Sequence, residues 1–473
     1  MRILLPTGTA TAPTVRKAAE GHDAEVVVTG EIASFLTPHQ LLALVRKGSY
    51  DLVLVSGMCS ASFDAVERET GIPVYRGPRH AADLPLVLPL LPDVTLSRTV
   101  PADDFLAARK AEEASWRLGA CEEAAEPDLL LRGVKIGGGS RIKVLAEIMD
   151  AHREPDLRAR VEDFFSRGAD IVDLGFGFDA TPEEVDRCFR QVQNLEGPLS
   201  VDTQDPALIR AALFRADLVL SLHEGNIPAV GAEVAACGAA AVVVPDTAGL
   251  RANLAAARAA GISCLIADPL LQPIGSGLLG SLAAVREAKD LGVPLFFGAG
   301  NAVELLDADS IGANAVLAGL AREAGAAVIF TSEHSDKTQG SVREMRRATE
   351  MMALLGDRPY PKDLGISLLV LKEKRRRREP PLSYTREEHS IPMPREIEYD
   401  SCGHFRIGIE GDEIVAVHHG TAIRGKRWQD ILHTLIVEGR VSRLDHAAYL
   451  GMELYRAGLA IRFGRSFEQD GEF

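Results

Sequence analysis

Residues 199–203 read Leu199-Ser200-Val201-Asp202-Thr203: strand-forming residues, then a carboxylate, then a hydroxyl. A helical segment follows at 206–214. The same order of strand, polar residue and helix recurs on both sides. Strands are expected at 143–148, 171–174, 199–201, 218–222, 241–244, 263–267, 294–297 and 327–330. Helical segments fit between most neighbours, for example 156–167, 182–193, 250–260 and 310–324. Eight such β/α units within 131–370 favour a closed (β/α)₈ barrel over an open doubly wound sheet.

Working outward, residues 1–80 alternate four short strands with helices, the pattern of a small parallel α/β domain. Residues 81–130 read as a connector ending in an acidic, Ala-rich surface helix. Residues 371–394 are charged and Pro-rich, a linker. Residues 395–473 hold a hairpin signal around Gly411-Asp412 and two amphipathic helices, so a small α+β domain is expected. The fold class is thus α/β, a central barrel flanked by two smaller domains.

The chain has 473 residues and a net charge of −15, with 46% hydrophobic and 25% charged residues. That field opposes nucleic-acid binding, and the one dense basic run, Lys374 to Arg378, reads as a linker. Apolar runs are broken before membrane-spanning length. Six scattered cysteines make no CxxC pair, so no structural zinc site is expected. Met1-Arg2-Ile3-Leu4-Leu5 reads as a first strand rather than a leader, and a cytoplasmic protein is expected. An even-numbered homo-oligomer is the prior for such a chain.

Barrel enzymes keep their chemistry where strand C-termini meet the following loops. Here those ends are polar. Strand one is followed by Glu147, Asp150 and His152, and strand two carries Asp173. Strand three ends in Asp202, and strand four runs into His223, Glu224 and Asn226. Strand five gives Asp246 and strand six Asp268. Strand seven gives Gly298-Ala299-Gly300-Asn301. Strand eight gives Glu333, His334, Asp336 and Lys337. Helix capping explains Thr181, Asp205 and Asp309. It explains Asp173, Asp202 and Asp268 less well, because each closely follows apolar strand residues. Carboxylates gathered at one mouth repel, and need a counter-charge, a metal or ligand donors. A pterin supplies donors from its 2-amino group and ring N–H, and Asn226 or Asn301 can serve its mixed edge. The amides of Gly298 and Gly300 are candidate phosphate contacts. His223, His334, Glu333 and Asp246 are candidate acid/base or substrate contacts.

Three motifs resemble the dihydropteroate synthase family. They are Gly168-Ala169-Asp170-Ile171-Val172-Asp173-Leu174-Gly175, Leu199-Ser200-Val201-Asp202-Thr203 and Ala267-Asp268-Pro269. The family's first-strand Thr-Pro-Asp-Ser-Phe run, its Ser-Thr-Arg-Pro loop and its Ser-Arg-Lys after strand seven are absent. Gly300-Asn301 stands in the last place. The whole layout, with Ala146-Glu147-Ile148 and Ser332-Glu333-His334-Ser335, resembles a narrower group: dihydropteroate synthase-related proteins of methanogens and methylotrophs, organisms that use tetrahydromethanopterin. The resemblance implies a synthase joining a hydroxymethyl-dihydropterin diphosphate to a ribofuranosylaminobenzene phosphate. Asp173, Asp202 and Asp268 would then hold the reduced pterin, Lys337 or Lys143 would face phosphate, and Mg²⁺ would use Glu147 or Asp150. Two other readings are a pterin-dependent methyltransferase acting with a corrinoid partner and a non-catalytic pterin-binding scaffold for pathway proteins.

Overall fold

The computed structural model describes residues 1–105, 107–356, 358–371, 385–392 and 398–471. The basic run 374–378 and much of the expected linker lie outside them. Two units form, Met1–Leu371 and Lys372–Phe473.

The first unit begins with four parallel strands: β1 (Ile3–Gly8), β2 (Ala24–Gly30), β3 (Leu52–Val55) and β4 (Val74–Arg76), in the order β2-β1-β3-β4. Alternate residues of β1 serve two cores. Ile3 and Leu5 pack into one and Leu4 into the other. Burial on both faces is why these strands are continuous apolar runs. The helix Pro38–Val45 starts at a capping box, in which Thr37 and Gln40 each bond the other's backbone N–H.

After the helix Ala107–Ala124 comes a hairpin that the sequence reading did not foresee, β5 (Leu129–Leu131) and β6 (Val134–Ile136). Its turn residues, Arg132 and Gly133, both have positive φ, as a two-residue hairpin loop requires. Leu129, Leu131 and Ile136 pack against Leu145, Ile171, Leu218, Ile266 and Val328. The hairpin therefore plugs the N-terminal end of the barrel. Gly137, Gly138 and Gly139 follow, all at positive φ. A Cβ on Gly138 would fall 1.5 Å from the Glu126 carbonyl oxygen. The triplet is a turn built by close backbone approach. Gly138→Ala is expected to cost more than about 2 kcal/mol, read as a lower denaturation midpoint for the first unit.

The barrel strands are β7 (Lys143–Ile148), β8 (Ile171–Gly175), β9 (Leu199–Asp202), β10 (Leu218–Leu222), β11 (Ala240–Val243), β12 (Leu265–Ala267), β13 (Phe296–Phe297) and β14 (Val328–Ser332). They pair in parallel in the order β12-β11-β10-β9-β8-β7-β14-β13. A parallel bridge between Ala267 and Leu295 joins the two ends, so the sheet closes as expected. Side chains alternate with the period of two that strands impose. Val144, Ala146, Val172, Leu174, Leu199 and Val201 face outward, into a core shared with helix residues such as Phe164 and Phe189. Leu145, Ile171, Leu218, Leu220, Val242, Ile266 and Phe296 face the lumen.

The second unit is a three-stranded antiparallel sheet, β15 (Arg406–Glu410), β16 (Glu413–His418) and β17 (Thr421–Gly425), with helices Trp428–Val437 and Leu444–Phe463. Ile414, Ala416, Ile431, Leu435, Leu450 and Leu454 form its core. β17 was not expected, and the last helix runs further than its apolar stripe suggested. Among the described residues, no helix is long and apolar enough to cross a membrane.

Candidate functional site

Strand parity decides which polar residues reach the lumen. Leu145 faces inward, so Glu147, two residues on, does too. Ile171 carries Asp173 inward and Ile266 carries Asp268 in the same way. Val201 and Leu199 face the helices, which turns Ser200 and Asp202 inward. Register aligns them: Glu147 pairs with Asp173, Asp173 with Ser200, and Gly175 with Asp202. Glu147, Asp173 and Asp202 each bring a carboxylate oxygen within 4.8 Å of the others. Gly175 makes room, since a Cβ there would lie 2.4 Å from Glu147 Oε1.

These groups are buried next to one another, and their acidity shows it. Burial, then Asp202 and Asp150, push Glu147 up to about 8. Burial pushes Asp202 up to about 6. Asp268 rises to about 7 through burial, against the Leu270 N–H that bonds its Oδ1 at 2.8 Å. Asp173 is held well above the ordinary carboxylate range by burial, Asp202 and Glu147, and the Ser200 hydroxyl only partly offsets them. Glu147 therefore keeps its proton at neutral pH. Asp173 Oδ2 is buried and accepts no hydrogen bond. A buried acceptor without a donor is costly, and a ligand carrying N–H groups would satisfy it.

Other expected contacts are used differently. Asn226 is 2% exposed. Its amide donates to the Gln204 and Ser221 carbonyls, and its Oδ1 accepts from His223 N–H. It pins the loop after β10 with both its amide protons spent, so it has no donor left for a pterin. Lys143 faces inward, but as the first residue of β7 it lies at the opposite end of the barrel, bonded to Glu122. Four residues of strand, about 13 Å, separate it from Glu147. It is not a phosphate contact of this mouth. Lys337 Nζ is 2.9 Å from Asp307 Oδ1 at the surface. Glu333 is buried, bonds Arg167 at 2.9 Å and accepts the Val342 N–H, so it anchors structure rather than chemistry. Gly298 and Gly300 begin a helix, Ala299–Glu304, too short to present an anion site. Gly300 is small because a Cβ would meet the Phe330 ring at 2.6 Å. Asn301 and His334 are exposed at the rim. Asp150 lies 3.9 Å from Arg153 and near enough to Glu147 to help raise its pKa. His223 Nδ1 is 3.4 Å from Asp246 Oδ2. Both nitrogens of His152 are buried without a hydrogen-bond partner, its ring stacked on Phe176.

One residue with a large part was missed. Glu304 accepts from Ser332, Ser335 and Thr338 hydroxyls and from His334 N–H. Despite the cost of burial, these bonds hold its carboxyl below the ordinary range, and it fixes the loop after β14. Nothing near it in sequence marks that role.

A protein of Methanocaldococcus jannaschii, the uncharacterized protein MJ0107, is 33% identical over 520 residues, covering 99% of this chain and 98% of that protein. The chain belongs to its family. Residues 399–470 match the family model described as PterinBD-DUF4346. Among solved structures, dihydropteroate synthase of Yersinia pestis is 22% identical, covering 47% of this chain and 95% of that one, with a TM-score of 0.37. That of Thermus thermophilus in complex with 6HMPPP is 25% identical, covering 45% and 93%, with a TM-score of 0.37. That of Xanthomonas albilineans with 4-aminobenzoic acid is 21% identical, covering 50% and 100%, with a TM-score of 0.39.

Proposed function

We propose that this chain is a pterin enzyme of tetrahydromethanopterin synthesis. It would condense a hydroxymethyl-dihydropterin diphosphate with a ribofuranosylaminobenzene phosphate. The observation that carries this reading is the inward ring of Glu147, Asp173, Asp202 and Asp268, with Asp173 Oδ2 buried and unbonded. A pterin's 2-amino group and ring N–H suit such acceptors. Protonated Glu147 can donate to a ring nitrogen or the 4-oxo group.

In the proposed reaction the arylamine lone pair attacks the exocyclic methylene. The C–O bond to diphosphate breaks, its electrons leave with the diphosphate, and the amine nitrogen gives up a proton. Orientation and a dry, rigid pterin seat are what the barrel contributes. Mg²⁺ held by Glu147 or Asp150 would supply charge for the diphosphate when bound.

The test is diphosphate release from the pterin diphosphate in the presence of Mg²⁺ and the ribosylated arylamine. Release that requires the amine, and falls at least about 100-fold in Asp202→Asn, is the expected result. Pterin binding without release would sink the synthase reading. It would move the weight to methyl transfer with a corrinoid partner, which needs no diphosphate contact, or to scaffolding. The distant Lys143 and the paired Lys337 favour methyl transfer as the second reading.

A further inference from the structure

A second group of ligating side chains sits on the rim, apart from the carboxylate ring. His223 and Glu224 follow β10, and Asp246 follows β11. Each offers one ligand atom within 4.8 Å of the other two. The loop is built to hold them. Asn226 Oδ1 accepts the His223 N–H at 2.9 Å. The imidazole folds back over Gly225, where a Cβ would fall 2.8 Å from Cε1.

One atom of the group, Glu224 Oε2, is unsatisfied without a cation. Gly225 N–H donates to His223 Nδ1 at 3.1 Å, which takes up the one lone pair of that nitrogen, so a metal must displace this bond or use Nε2. Asp246 Oδ2 lies 3.4 Å from the same nitrogen. Glu224 commits Oε1 to the Ala248 N–H at 2.8 Å, while Oε2 is buried and accepts no hydrogen bond. One imidazole and two carboxylates carry the charge and donor types that a divalent first-row ion prefers.

We propose that His223, Glu224 and Asp246 form a binding site for a divalent transition-metal ion at the barrel rim. With three protein ligands, and Asp246 54% exposed, the ion keeps open positions toward solvent, the arrangement of a reactive rather than a structural site. The site does not depend on the pterin reading.

Co²⁺ is the probe, added to full-length protein after chelator treatment and followed by its visible absorption and by calorimetry. One equivalent is expected to bind with nitrogen in its coordination shell. His223→Ala and Asp246→Asn should each weaken binding at least tenfold. Asp246 is half exposed, so its variant keeps the fold, and circular dichroism checks both. Binding that survives both substitutions, or that is lost in Glu147→Gln instead, overturns the proposal. So does an absence of saturable Co²⁺ binding. Pterin affinity, measured separately, reports on the carboxylate ring alone.

Discussion

Asp173→Asn is expected to weaken reduced-pterin binding about 10- to 100-fold while raising the melting temperature of the ligand-free protein. Asp173 is fully buried. One oxygen accepts the Ser200 hydroxyl, and the other accepts nothing. A ligand N–H meeting that oxygen forms a charge-assisted bond, worth about 1.5–3 kcal/mol. Asparagine keeps the shape but presents either a weaker neutral acceptor or an NH₂ that opposes the ligand donor. In the ligand-free protein the same change removes one of three carboxylates within 4.8 Å of one another. The repulsion and burial that raise its pKa are relieved with it. Opposite signs for affinity and stability are the signature of a functional site rather than a structural one. Fluorescence titration with a reduced pterin and scanning calorimetry measure the two. Unchanged affinity would remove Asp173 from the binding site, and a lower melting temperature would show that its carboxylate is structural.

What the sequence disclosed follows from periodicity. Asp202 and Asp268 stand at the ends of apolar strands and Asp173 within one, and the period of two that buries Leu145 and Ile171 also aims Glu147 and Asp173 at the lumen. Strand direction was legible as well. Lys143 begins its strand, so in a parallel barrel it had to sit at the far end. Roles set by contacts between distant segments were not legible. Asn226 looked like a ligand contact because an Asn after a strand is a natural one, yet its three bonds go to a local turn and to Gln204. Glu304 lies about thirty residues from the hydroxyls it binds. The plug hairpin is only three residues per strand, too short for a periodic signal, though Arg132-Gly133 between two apolar triplets was a turn clue. His223 and Asp246 meet because β10 and β11 are neighbours, which a list of polar strand ends does not reveal.

Between pH 5 and 8 the ligand-free first unit is expected to lose stability as pH rises, and Glu147→Gln to flatten that loss. The unfolded chain releases its carboxyl protons near pH 4. The folded chain keeps them to about 6 at Asp202, about 7 at Asp268 and about 8 at Glu147. In that window the native state binds more protons than the unfolded state, so unfolding free energy falls with pH. Each retained proton costs up to about 1.4 kcal/mol per pH unit. Below about pH 4 both states are protonated and the penalty is absent. Above about pH 8 the slope ends and the penalty stays. Glutamine at 147 cannot ionise, so the variant should match the parent at pH 5 and exceed its melting temperature by a few degrees at pH 8. Pterin donors that bond the ionised carboxylates reverse the shift, because they favour the charged form. Binding at pH 7 should therefore release protons, seen as a calorimetric enthalpy that varies with the ionisation heat of the buffer. An enthalpy independent of buffer, beside a parent protein equally stable at pH 5 and 8, would mean that these carboxylates are ionised before the ligand arrives. The ring would then have to be neutralised by a bound cation rather than by protons.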